Sequence, residues 1–112
     1  MQGDWDNFAE ITMGAAHRRC RNEQGWQVTI EALSMTQGLV ELACDRPGER
    51  VLFDARRVDH LSSDHVEQAL FRQAETGASE VHLAFPSRTV VPTQVSELAT
   101  YLGVGLVRLP GA

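Results

Sequence analysis

The sequence predicts an α/β domain of the α+β kind, a mixed central sheet flanked by helices, and three observations carry that expectation. Apolar residues recur with helical spacing in three segments and with strand spacing in five, in the order αβββαβαβ. The first three strand segments are joined by loops of a few residues, which makes an antiparallel meander. A strand, helix, strand succession closes the chain, and such a crossover pairs its strands in parallel with a right-handed connection. At 112 residues the chain is long enough for one core and not for two, so residues 1 to 112 are expected to form a single domain.

Each element has its own local justification. Helix one is expected from about residue 4 to 24, where Phe8, Ile11, Ala15 and Cys20 recur and Gly25 stands at a stop position. WQVTIEAL alternates, with Trp26, Val28, Ile30 and Ala32 on one face and Gln27, Thr29 and Glu31 on the other. After the turn SMTQG, GLVELACD forms the second strand, and Pro47 and Gly48 in DRPGER are the pair that a type II turn favours. The third strand is VLFDARR, residues 51 to 57. In DHVEQALFRQAE, Asp64 and Glu67 stand three apart as an acidic capping box, and Val66, Ala69, Leu70 and Gln73 keep helical spacing as far as Gly77. EVHLAFP is apolar at nearly every position, as expected of a strand covered on both faces, and Pro86 ends it. VPTQVSELATYLG is a third helix with Val95, Leu98, Ala99 and Leu102 inward, and VGLVRL is the last strand.

Composition narrows the function classes. Apolar content of 43% and charged content of 22% exclude a wholly disordered or collagen-like chain. No apolar run approaches the roughly 20 residues that cross a bilayer. The start, MQGDWDNFAE, is acidic where a secretory leader is basic and then apolar, so a cytoplasmic location without membrane attachment is expected. A net charge of −5 argues against strong nonspecific DNA binding, which depends on neutralising phosphates. Basic clusters at His17, Arg18, Arg19 and Arg21, and again at Arg56 and Arg57, still supply local positive charge. Cys20 and Cys44 form no CxxC pair and read as small reduced core residues.

The stretch VLFDARR poses the functional question. Strand residues two apart share a face, so Asp54 and Arg56 project side by side from a largely buried sheet, which is costly unless they pair or have a task. GLVELAC and VLFDARRV, within the αβββαβ order, resemble the strands of the PD-(D/E)XK, or restriction-endonuclease-like, superfamily that carry the first metal-binding acid and the E-x-K motif. DHVEQALFRQAETGASEVHLAFP is similar to the helix and strand that follow the active site in that family, and LGVGLVRL to its closing strand. The resemblance covers about residues 8 to 109 and implies a restriction-endonuclease-like αβββαβ core with an added αβ unit.

On this resemblance Glu41 falls on the first acid, Asp54 on the second and Arg56 on the lysine. Two carboxylates on neighbouring strands would hold Mg²⁺, which activates a water and neutralises the charge developing on a phosphate. The sequence departs from the pattern at two positions: Asp54 is one methylene shorter than Glu, and Arg56 is no base at working pH, although arginine can clamp a phosphate bidentately. Glu10 is similar to a helical acid that some members use as an extra ligand. Gln68 is similar to a glutamine on the helix after the active site, but Arg72 stands where a tyrosine would follow. Both accessory candidates also read simply as solvated helix positions.

Other candidates are weaker. VDHLSSDH pairs Asp59 with His60 and Asp64 with His65; imidazole and carboxylate can bind a transition metal, but the spacing matches no zinc pattern, and loop and cap roles explain these residues, with Asp64 as the cap. Ser62 and Ser63 read as helix-start residues, and Trp5, Phe8 and Trp26 suit core or interface duty better than base stacking. Two functions are therefore expected. The favoured one is a domain with a degenerate active site, non-catalytic or weakly active, serving as a module for DNA, RNA, a protein partner or a second copy of itself. The alternative is a Mg²⁺-dependent nuclease hydrolysing phosphodiester bonds with Glu41, Asp54 and Arg56.

Overall fold

In a computed structural model, the described residues are 2–112, with side chains described from Asn7 onward, so the expectation for the Trp5 side chain lies outside them. The elements are α1 (Gln2–Arg19), a 3₁₀ turn (Asn22–Gln24), β1 (Gln27–Ser34), β2 (Leu39–Arg46), β3 (Glu49–Arg56), α2 (Ser63–Thr76), β4 (Glu80–Pro86), α3 (Thr93–Leu102) and β5 (Gly105–Leu109). The strands lie in chain order in one five-stranded mixed sheet, antiparallel from β1 to β3 and parallel from β3 to β5. The expected α+β architecture is the one found.

The two-residue turn at Pro47 and Gly48 sets the central hairpin, and Gly48 takes the positive φ of 80° that a type II turn demands of its third residue. From there β2 and β3 pair without interruption between Arg46↔Glu49 and Leu39↔Arg56, so Glu41 stands directly opposite Asp54. The sheet separates two cores. On one face α1 packs Phe8, Ala16 and Cys20 against Leu42, Cys44, Val51, Phe53 and Leu109. On the other, α2 and α3 bring Val66, Ala69, Val95 and Ala99 onto Ala43, Leu52, Leu83 and Phe85. Trp26 and Phe8 are buried in the first core, as their size and polarity favour. Both cysteines are free and buried there, and burial pushes the Cys44 thiol well above its ordinary range, which leaves it inert.

Three local expectations are corrected. Helix one ends at Arg19, and Gly25 closes the 3₁₀ turn instead, because the chain must reverse after buried Cys20 to enter β1. The alternation of β1 is broken by a bulge between Ile30 and Ala32: Ile30 opposes Leu42 while Ala32 opposes Glu41, so the two residues face opposite sides. Ile30 is accordingly 56% exposed, at an edge strand that the helices leave largely uncovered. Finally, α2 is capped by Ser62 and not by Asp64; the Nδ1 of His65 accepts the Ser62 backbone N–H at 3.0 Å, doing the work expected of a glutamate at that place. Among the described residues no helix is long and apolar enough to cross a membrane.

Candidate functional site

Glu41 and Asp54 share the face of the sheet that α2 covers, because direct antiparallel partners project to the same side. Both are acids where aliphatic neighbours would be expected: Glu41 is 3% exposed and Asp54 is 1% exposed. Buried charge of this kind has to be compensated. For Glu41 the compensation comes from α2, where Arg72 donates Nε to Oε2 at 2.9 Å and Nη2 to Oε1 at 2.6 Å, a fork matched to both carboxylate oxygens. Arg72 also reaches Glu75 one turn on, and the two carboxylates hold its guanidinium protonated even more firmly than usual.

Asp54 is compensated by only half. Arg56, two residues on along the same strand, donates Nε to its Oδ1 at 2.8 Å. Its Oδ2 is buried and has no hydrogen-bond partner among the described residues. Burial raises the proton affinity of Asp54, and Glu41 opposite adds to the effect; the Arg56 guanidinium works against it and does not win. His65 approaches from the start of α2. Burial, reinforced by Arg56, lowers its pKa, and its Nδ1 is occupied as an acceptor, so the neutral ring carries its proton on Nε2.

The structure thus brings Glu41, Asp54 and Arg56 together on one side of the sheet. It leaves Glu10 and Gln68 apart from them: Glu10 is exposed on α1, which packs on the opposite face, and Gln68 is exposed on α2. Asp64 and His60 are exposed as well, and among the described residues no three His, Cys, Asp or Glu side chains converge as metal ligands. Arg72 and His65 complete the cluster and had not been singled out as members of it. Seven residues apart, they lie two turns along one flank of α2, a spacing that could have flagged them.

The donor set does not fit Mg²⁺ in this arrangement. An ion between the strands would draw on lone pairs of both carboxylates. Both Glu41 oxygens already accept from Arg72 and one Asp54 oxygen from Arg56, so two guanidiniums supply the positive charge that a cation would bring. A single buried oxygen, Oδ2 of Asp54, remains. What the cluster does chemically is to fasten a helix to a sheet through paired charges.

Neither the protein-family models nor the curated proteins contain a match to this chain.

Proposed function

We propose that this chain is a non-catalytic binding module with a restriction-endonuclease-like layout, directed at nucleic acid, in which the former catalytic face has become an ion-paired clasp. The observation that carries the reading is the bidentate seat of Arg72 on Glu41. Hydrolysis of a phosphodiester through a metal needs the two acids free to share an ion, and a base or orienting amine beside them. Here the acids are engaged by guanidiniums, and Arg56 is spent on Asp54. The fold then serves as a platform for binding, in keeping with the general separation of fold from activity.

The test is a calorimetric titration with Mg²⁺ and Mn²⁺, run beside Glu41→Ala, together with cleavage assays on plasmid, single-stranded DNA and RNA. Neither metal should bind at millimolar concentration, and no substrate should be cut by the protein or by Arg56→Lys. Metal binding that disappears in Glu41→Ala, or metal-dependent cleavage, would overturn the reading in favour of a Mg²⁺-dependent nuclease.

A further inference from the structure

The start of α2 is fastened by a ring that can do so in one protonation state only. Ser62 and His65 form a reciprocal pair: the Ser62 side chain accepts the His65 backbone N–H, and the Nδ1 of His65 accepts the Ser62 backbone N–H at 3.0 Å. Ser62 Oγ lies 3.2 Å from the same nitrogen. In a capping box the returning acceptor is ordinarily a glutamate or a glutamine, and neither loses its acceptor near neutral pH. Imidazole differs. A proton on Nδ1 takes up the lone pair with which that atom accepts, and a free histidine charges near about pH 6.5. At His65, cap and charge exclude each other.

Ser62 also ends the loop that leaves β3, and this loop is braced against the one that leaves β4. Thr89 Oγ1 donates to the Val58 carbonyl at 2.7 Å, the Val90 N–H to the Asp59 carbonyl at 2.8 Å, and the Leu61 N–H to the Val90 carbonyl at 2.9 Å. The Leu61 side chain is buried in the core beneath α2 and α3. Together the two loops wall a cleft of about 610 Å³ at the carboxyl ends of β3 and β4, where Arg57, Asp59 and Arg88 are exposed. The His65 ring holds the Ser62 N–H at the junction of this braced loop with the helix.

We propose that His65 is an acid-sensitive catch: its neutral ring holds the loop to the helix, and on acidification the ring takes a proton, releases the Ser62 N–H and frees that end of the cleft wall. The surroundings of the ring set where this happens. Burial opposes the charge, Arg56 on β3 opposes it as well, and the positive end of α2, in whose first turn the ring sits, acts in the same sense. Asp54 on β3 and Asp64 on α2 pull the other way and lose, so the ring charges below the ordinary histidine range. The folded chain thus keeps it neutral where an unfolded one has already charged. The stability tied to the cap is complete above about pH 6.5 and is lost as pH falls toward the folded value. His65 is half-buried, so solvent protons reach it. The inference goes beyond the binding-module reading and does not depend on it.

The experiment follows the histidine ring and backbone amide resonances of the intact chain from about pH 8 down to about pH 4.5, a span that brackets imidazole titration. The His65 ring should titrate with a midpoint below about 6.5, and the Ser62 amide should move with that same midpoint. Hydrogen exchange at the Ser62 amide, corrected for its intrinsic dependence on pH, should speed up roughly fivefold on the acid side, the scale of one lost cap. His65→Gln supplies an acceptor that does not titrate, so its Ser62 amide should lose this transition. His65→Ala should show the acid-side position already at the alkaline end of the range. His17, His60 and His82 remain in both variants, which separates their titrations from that of His65. The proposal is overturned if the His65 ring stays neutral across the range, if the Ser62 amide is unmoved while the ring titrates, or if a Ser62 transition at the His65 midpoint persists in His65→Gln.

Discussion

The α2-covered side of the β2–β3 pair and the cleft at the ends of β3 and β4 use the same side chain under opposite conditions. In the first, Arg72 and Arg56 are matched at 2.6 and 2.8 Å by the buried carboxylates of Glu41 and Asp54. In the second, Arg57 and Arg88 reach solvent from a braced loop pair. The neighbours Arg56 and Arg57 fall on the two sides of this divide. A cation buried against an acid is part of the architecture, since removing either partner strands the other in a low dielectric. An exposed one at a rim contributes little to folding.

Mutations separate the two regions by size of effect. The largest is expected for Arg72→Ala, which leaves Glu41 buried without its fork; a loss of about 2–3 kcal/mol, or roughly 10 °C in Tm, should appear in thermal unfolding by circular dichroism. The lower part of the range for buried pairs applies because the Arg72 side chain is 36% exposed and water can partly replace it. A change too small to resolve would mean that the clasp is not structural. Adding Glu41→Gln to that variant should restore part of the loss, since the stranded charge is then gone.

Asp54→Asn is intermediate and is visible chiefly in its pH dependence. The folded chain raises the Asp54 pKa, so the stability this carboxyl gains by holding its proton is complete below the ordinary aspartate range near about 4 and is lost as pH rises through the folded value. Tm of Asp54→Asn minus Tm of the parent should therefore become more positive from acid to neutral pH, each tenfold difference in proton affinity counting for about 1.4 kcal/mol. Parallel curves for the two proteins would show that burial does not dominate over Arg56. The smallest effect belongs to the cleft: Arg88→Gln should alter stability by less than about 0.5 kcal/mol in chemical denaturation, the range of surface changes without a buried partner. A larger loss would turn Arg88 into a structural residue and blur the contrast.

Much of this was legible in the sequence, for reasons that particular residues make plain. The hairpin register could be counted: with Pro47 and Gly48 as the turn, Arg46 meets Glu49, and further steps inward bring Glu41 opposite Asp54. Gly77 and Gly103 stop α2 and α3 where expected, both in the left-handed region that glycine tolerates. The bulge in β1 was not legible, since no glycine or proline marks Ile30, Glu31 or Ala32 and its edge position is a tertiary fact. Nor was the partner of Glu41. Arg72 lies 31 residues away, and only the way α2 lies across the sheet brings the two together. Ser62 was legible as a helix-start residue, but its reciprocal partner His65 was not, because histidine replaces the glutamate or glutamine by which a capping box is usually recognised.

The bulge has a further bearing on the company this molecule keeps. Strand β1 is an outer rail of the sheet, and Ile30 and Leu33 on it are more than half exposed, a combination that invites another copy to dock along the rail and start a stack. The step between Ile30 and Ala32 puts the donors and acceptors on either side of it out of phase, so an incoming straight strand can match one half or the other but not both. One extra residue thereby keeps a greasy border from zipping to its own twin.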